Sequence, residues 1–343
     1  MVWATTSYSK GEISRAGKVL INRHALFDER TWALDVMSSW RAAQAYPMRA
    51  LLMTLRKKAV EIDPNAVVVQ RHKRAPSIIG KLERFPKMEL SRMQDIGGCR
   101  AIVSTVEDVE RLNAHIQSSR TRNELHREYN YIARPKDSGY RGIHLTYKYK
   151  GEKEEYKGYF VELQLRSKVQ HAWATTVEIV DTFTDQALKS SQGSQDWQNF
   201  FRMASAEFAK LEQRPVGAFA VGKDTHAELG RLAHQLSVVK RLQAFAVSAN
   251  HIIEKSDSST DYFLLELTDN NIKITKYKVS EFERATAVYL QKEKEAKSNS
   301  DIDVVLVAAE SMHALQNAYP NYFADSTEFV RLIQRALARG VGI

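Results

Sequence analysis

The sequence predicts an α/β or α+β protein, a mixed β-sheet flanked by helices and followed by a small ββαβα unit. Three observations predict it. Phe160–Arg166, FVELQLR, alternates strictly, with Val161, Leu163 and Leu165 on one side and Phe160, Glu162, Gln164 and Arg166 on the other, the period-2 pattern of a strand with one buried face. Upstream, β-rich runs are interleaved with amphipathic helical patterns. Downstream of Ser256–Thr260 the texture changes: Tyr262–Leu267 and Ile272–Lys278 flank Asp269-Asn270-Asn271, a hairpin signal.

The elements follow in order. Ser9 and Glu12 have capping-box spacing, so a helix starts there and runs through Ile13, Ala16 and Leu20. A helical pattern covers Phe27–Ala45; Pro47 is expected to interrupt it before a third helix over Met48–Ile62. Val67–Gln70 is a β-branched run, and Pro76-Ser77 opens a helix through Ile78, Ile79, Leu82 and Phe85. Met93–Ile96 ends at Gly97-Gly98, and Cys99–Ser104 is a strand. Val106–Ser119 is helical, Arg127–Ile132 a strand, Pro135–Gly142 a loop and Ile143–Tyr149 an alternating strand. After FVELQLR come helices over Lys168–Phe183, Trp197–Glu212 and Thr225–Ile253, separated by the Ser/Gln/Gly-rich stretch Ser190–Asp196. The tail adds a helix over Ser280–Lys297, a buried strand over Val304–Ala308 and a helix over Thr327–Arg339.

At 343 residues the chain exceeds one typical domain. The breaks divide it into residues 1–190, a helical connector over 191–255 and a C-terminal domain over 256–343. Hydrophobic residues make up 43%, ordinary for a globular protein, and no run of about 18 apolar residues occurs, so no membrane span is expected. The N-terminus lacks an apolar signal core and reads as mature protein, and a cytoplasmic location is expected. The single cysteine, Cys99, excludes an intramolecular disulfide and a cysteine-based metal site; a small buried strand residue is expected there. A net charge of +9 favours anionic partners.

Four places carry chemistry-bearing residue types. Arg71, Lys73 and Lys81 surround a helix start near Ser77, and both helix N-termini and cations bind phosphate. Asp95 stands beside Gly97-Gly98 with Arg100 following, and a carboxylate there can hold a hard divalent ion as Mg²⁺ sites do. The loop PKDSGYRGIH presents Tyr140, whose face can stack on a base, with the cations Lys136 and Arg141. Glu162 and Gln164 follow on the alternating strand; the second carboxylate can complete a metal site or take a proton from an attacking hydroxyl. His171 reads as a structural histidine.

In this order, the segments RHKRAPSIIGKL, QDIGGCRAIV, YIARPKDSGYRGIHLTYKY and VELQLRSKVQHAWA resemble the RelA/SpoT-type pyrophosphokinase domain over roughly residues 65–180. The resemblance implies a nucleotidyltransferase-like synthetase fold that moves the β,γ-pyrophosphate of ATP to a ribose 3′-hydroxyl. It implies that Arg71 and Arg100 sandwich adenine, and that Lys73 and Lys81, with Ser77, hold the polyphosphate. Asp95 and Glu162 would hold Mg²⁺, Tyr140 would stack on the acceptor base, and His144, Arg141 and Gln164 would line that site. Glu162 is the candidate to help deprotonate the hydroxyl. The family's metal-dependent hydrolase carries a His-Asp pair; no histidine here is followed by Asp, so synthesis without hydrolysis is expected.

The tail VLVAAESMHALQNAYPNYF with the preceding hairpin resembles the antitoxin-like domain of fused toxic small alarmone synthetases of the CapRel kind. That resemblance implies that Tyr319 and Tyr322 cover the nucleotide site at rest, that a phage capsid protein releases them, and that the acceptor is the 3′-CCA end of tRNA. Arg56-Lys57-Lys58 and Arg120/Arg122 are candidate phosphate contacts for such an acceptor. The same motifs are equally compatible with a (p)ppGpp or (p)ppApp synthetase acting on free nucleotides.

Overall fold

The computed structural model describes residues 3–184, 194–248, 250–252, 261–268, 271–296, 303–309, 312–323 and 325–338. The expected turn at Asp269-Asn270 and the breaks at 190–193 and 256–260 lie outside them.

The N-terminal half comprises α1 (Lys10–Ile21), α2 (Phe27–Ala42), α3 (Ala45–Ile62), β1 (Val67–His72), α4 (Ala75–Arg84), β2 (Gly97–Val103), α5 (Val106–Gln117), β3 (Glu124–Asn130), β4 (Ile143–Lys148) and β5 (Phe160–Ser167). Next come α6 (Lys168–Thr184), α7 (Gln195–Leu211), α8 (Thr225–Gln235), α9 (Val238–Ser248) and β6 (Asn250–Ile252). The tail forms β7 (Asp261–Thr268), β8 (Asn271–Lys278), α10 (Phe282–Ala296), β9 (Asp303–Ala309), α11 (Met312–Ala318) and α12 (Thr327–Ala338).

Ser9 caps α1 through a reciprocal capping box with Glu12. Two sequence expectations are corrected. Pro47 does not separate two helices, because α3 begins at Ala45 and proline costs nothing in a first turn, where its missing N–H has no partner to lose. The long helix expected over Thr225–Ile253 is broken after α8, where Ser237 takes a left-handed φ of 48°, and its last residues enter β6.

The strands form one sheet in the order β3-β4-β5-β2-β1-β9-β7-β8-β6. β2 and β5 run parallel, while β1 against β2, β4 against β5 and β3 against β4 are antiparallel. The tail's strands join this sheet rather than standing apart, through the short β1–β9 pairing of Gln70 with Ala308 and Arg71 with Val307.

Alternation assigns the two faces. Val161, Leu163 and Leu165 pack with Val68, Cys99 and Ala101 under α1, α3 and α5, each buried valine or leucine contributing about 1.5–3 kcal/mol. Cys99 is buried in β2, as expected. On the opposite face, Val69 packs with Phe263, Val307 and the α11 segment. α12 leaves the tail's sheet to pack with α6, α7 and α8 in a separate core around Phe200, Phe208 and Phe329.

Candidate active site

Strand register builds the site as two rows across the functional face. One row runs Tyr129, His144, Gln164, Arg100, Val69 from β3 through β4, β5 and β2 to β1. The second, two residues along, runs Arg127, Thr146, Glu162, Gly98, Arg71. Gly98 places no side chain between Arg71 and Glu162, so the floor of the face stays open there. Beside these rows lies a cavity of about 630 Å³ whose lining includes Asp95, Glu162, Gln164, Tyr140, His144 and Lys81.

Residues distant in sequence therefore share one cleft. Lys73 Nζ and Lys81 Nζ reach Asp95 Oδ2 at 3.0 and 2.8 Å. Burial acts to raise the Asp95 carboxyl, but the two lysines outweigh it and hold it below the ordinary range. Asp95 Oδ1 is buried without a hydrogen-bond partner. A buried carboxylate oxygen without a donor suits a cation, so Asp95, together with Glu162, fits a Mg²⁺ site completed by substrate phosphates and water. Among the described residues no group of three or more His, Cys, Asp or Glu gathers as a metal cage.

The Tyr140 side of the cleft is a hydrogen-bonded chain. Tyr140 Oη lies 2.6 Å from His144 Nε2, and His144 Nδ1 lies 2.9 Å from Glu162 Oε1. Gln164 Nε2 donates to Glu162 Oε2 at 2.6 Å, and Arg166 Nη2 donates to Tyr140 Oη at 3.0 Å. Burial opposes the charges on Tyr140, His144 and Glu162, yet pairing prevails. Arg166 and His144 pull the Tyr140 phenol down to about 7, and Tyr140 and Glu162 push His144 up to about 9. His144 holds Glu162 well below the usual carboxylate range. Glu162 is thus kept ionised at neutral pH by a charged partner on the adjacent strand.

The other sequence-predicted residues sit elsewhere. Arg71 and Arg100 do not line the cavity. Each has its guanidinium 5.3 Å from the centre of the Tyr319 ring, and Tyr319 is only 2% exposed. Arg100 Nη1 also donates to the Ala318 carbonyl at 3.0 Å. Burial, with Arg166 alongside, lowers the Arg100 pKa to about 10. His171 Nε2 meets the Asn317 carbonyl at 2.9 Å, so α6 also grips the α11 segment. Tyr322 lies in the 3-10 turn Pro320–Phe323, and its side chain falls outside the described residues. Ser77 stands in the first turn of α4, one helical turn before Lys81.

Arg141 is corrected. Its side chain is 4% exposed and bonded to Ser205 Oγ and the Pro215 carbonyl, and it does not line the cavity. Of the candidate phosphate contacts, Arg56 Nη2 donates to the Val68 carbonyl and Lys58 Nζ to the His115 carbonyl, both at 3.3 Å, on the helical side of the sheet, while Lys57, Arg120 and Arg122 are exposed and Arg122 pairs with Glu152 at 2.8 Å. Conversely, Arg166, Trp173, Tyr129 and Tyr131 line the cavity without having been picked out as site residues; the alternation of FVELQLR had already put Arg166 on the face of Glu162.

Part of the chain is similar to known proteins. Residues 70–180 match the family model described as "Region found in RelA / SpoT proteins". The curated GTP pyrophosphokinase YjbM of Bacillus subtilis (strain 168) is 28% identical over 156 residues, covering 43% of this chain and 72% of that protein. Among solved structures, small alarmone synthetase 1 from Bacillus subtilis bound to its product pppGpp aligns at 25% identity with a TM-score of 0.41, over 49% of this chain and 90% of that one. A GTP pyrophosphokinase family protein from Streptococcus pneumoniae aligns at 20% identity with a TM-score of 0.42, over 58% and 93%. No helix among the described residues is long and apolar enough to cross a membrane.

Proposed function

We propose that this chain is an ATP-dependent pyrophosphokinase of the RelA/SpoT type that transfers pyrophosphate to a ribose 3′-hydroxyl at the 3′-CCA end of tRNA, and that its C-terminal segment holds the donor site shut. The observation that carries the reading is Tyr319 seated against Arg71 and Arg100 beside a cleft that already joins Asp95 to Glu162. The two guanidiniums assigned to adenine hold a side-chain ring of this same chain instead. The acceptor half stays open to solvent through the cavity.

In the reaction, the bond between the α- and β-phosphate of ATP breaks, AMP leaves, and the β-phosphorus bonds to the 3′-oxygen. The hydroxyl proton is lost toward the Glu162 carboxylate, which stands 2.9 Å from His144. Lys73 and Lys81 would exchange part of their pairing with Asp95 for phosphate oxygens, freeing that carboxylate for Mg²⁺; the ion supplies charge neutralisation across the phosphates. Catalysis here is positioning and electrostatics rather than covalent chemistry.

An unopposed activity of this kind blocks translation, so the Tyr319 contact reads as restraint of a fused toxin. A phage capsid protein is the proposed trigger, on the CapRel resemblance alone. A second reading, an alarmone synthetase acting on guanosine or adenosine nucleotides, is favoured by the GTP pyrophosphokinase relative. Purified protein with its activator, ATP labelled at the γ-phosphate, and both tRNA and GTP separates the two. Label in tRNA is expected, and label confined to a guanosine nucleotide overturns the first reading.

A further inference from the structure

β3 is the outer strand of the sheet, and all seven of its residues are exposed. An edge strand is ordinarily protected by charge, a bulge or a short length. This one has the charges of Glu124, Arg127 and Glu128 and a register shift between Leu125 and Arg127, and it also leads into a run of aromatic rings. Tyr129, 43% exposed, stacks on Tyr131 with ring centres 5.5 Å apart and planes 9° from parallel. Tyr131 in turn meets Tyr140 edge-on at 5.8 Å. Cations accompany the rings: Arg127 lies 5.7 Å from the Tyr129 centre, and Lys136 lies 4.4 Å from Tyr131 and 5.2 Å from Tyr140. All five residues line the cavity.

One acceptor nucleotide is accommodated by Tyr140 next to Glu162. Two further rings, leading outward from that point with a cation on each, exceed what a free mononucleotide can use. Rings that present faces to solvent beside mobile cations are the elements by which proteins hold single-stranded nucleic acid, each stacked base contributing about 1–3 kcal/mol.

We infer that Tyr129 and Tyr131, with Arg127 and Lys136, form a stacking subsite for the nucleotides immediately 5′ of the acceptor, so that the site takes a single-stranded RNA 3′ end rather than a lone nucleotide. The inference rests on the proposed acceptor chemistry, but its test needs no transfer. The contacts also explain why Arg127 and Lys136 rest on the rings of the free protein. Each trades a ring face for a phosphate when a strand arrives, and binding weakens with salt as those contacts are screened.

The experiment is equilibrium binding of the full chain to a fluorescently labelled single-stranded RNA tetranucleotide and, separately, to GTP. Tyr129→Ala is expected to raise the tetranucleotide Kd by about tenfold, within the range one stacked base supplies, and to leave GTP binding unchanged. Tyr129→Phe keeps the ring face and is expected to bind like the parent. The circular dichroism and melting temperature of each variant check that the edge strand persists. Unchanged tetranucleotide affinity in a folded Tyr129→Ala protein overturns the inference, as does an equal loss for both ligands or no tetranucleotide binding by the parent. Binding that obeys these expectations, with no pyrophosphate transfer when activator and ATP are added, leaves the subsite standing and sinks the proposed reaction instead.

Discussion

Replacing Tyr319 with alanine is the sharpest perturbation of the proposed restrained state. The ring is 2% exposed and has a guanidinium 5.3 Å from its centre on each of two neighbouring strands. Contacts of this kind are worth about 0.5–2 kcal/mol each. Losing both removes about 1–4 kcal/mol from the closed state alone, or about fivefold to several hundredfold in the closing equilibrium at 1.4 kcal/mol per factor of ten. The backbone bond from Arg100 to the Ala318 carbonyl survives the substitution, so closure is weakened rather than abolished. The assay is twofold: affinity for a fluorescent ATP analogue, and the rate of label transfer without activator. Both are expected to rise by that factor in Tyr319→Ala. Tyr319→Phe, which keeps the ring, is expected to stay closed. Tyr319→Leu keeps most of the buried volume while removing the π face, and is expected to behave like alanine. If a folded Tyr319→Ala or Tyr319→Leu protein binds ATP no better than the parent, the ring does not occupy the donor seat and the reasoning fails.

Asp95→Asn is expected to cut transfer by at least about a hundredfold, the scale of losing one electrostatic partner of the reacting phosphates, with the fold intact by circular dichroism; a rate within threefold of the parent would remove Asp95 from the metal site. One tyrosine is expected to ionise near 7 in an ultraviolet titration, because Arg166 and His144 depress the Tyr140 phenol; that transition should vanish in Tyr140→Phe, and its persistence there would assign it elsewhere. The same pair sets a stability profile. His144, raised from 6.5 to about 9, contributes stability fully below 6.5 that is lost as pH rises through 9. Tyr140, lowered from 10 to about 7, contributes stability that appears as pH rises from 7 to 10. The slopes oppose between 7 and 9, so the parent's urea midpoint should be nearly flat there, and Tyr140→Phe should leave a midpoint that falls with pH; a rising midpoint in that variant contradicts the chain as drawn. Arg141→Ala should lower stability by about 1–3 kcal/mol, the cost of stranding its buried partners, and an effect on acceptor KM with no change in stability would return Arg141 to the acceptor site.

Much of this was legible in the sequence for local reasons. Alternation in FVELQLR placed Glu162, Gln164 and Arg166 on one face because successive strand residues point oppositely, and the register confirms it through His144–Gln164–Arg100. The same rule explains the misplacement of Arg141. It follows Tyr140 directly, in a segment bounded by Gly139 and Gly142 with φ of 92° and 144°, and the two side chains leave the backbone in different directions. Tyr140 faces His144 while Arg141 enters the α7 side. Pro47 was read as a break because a proline's effect depends on whether it falls in a helix's first turn, and that turn is set by Gln44 and Ala45 packing rather than by local pattern. The joining of β9 to β1 was not legible at all. It couples residues more than two hundred positions apart, and no period or spacing encodes which edge a late strand will choose.

The central claim is that Tyr319 and the adenine of ATP compete for the same two guanidiniums. A crystal structure of the chain bound to a non-hydrolysable ATP analogue tests it most directly. The account predicts the adenine ring between Arg71 and Arg100, the phosphates on Lys73 and Lys81, and Tyr319 displaced; a nucleotide bound elsewhere with Tyr319 still against both arginines would contradict it.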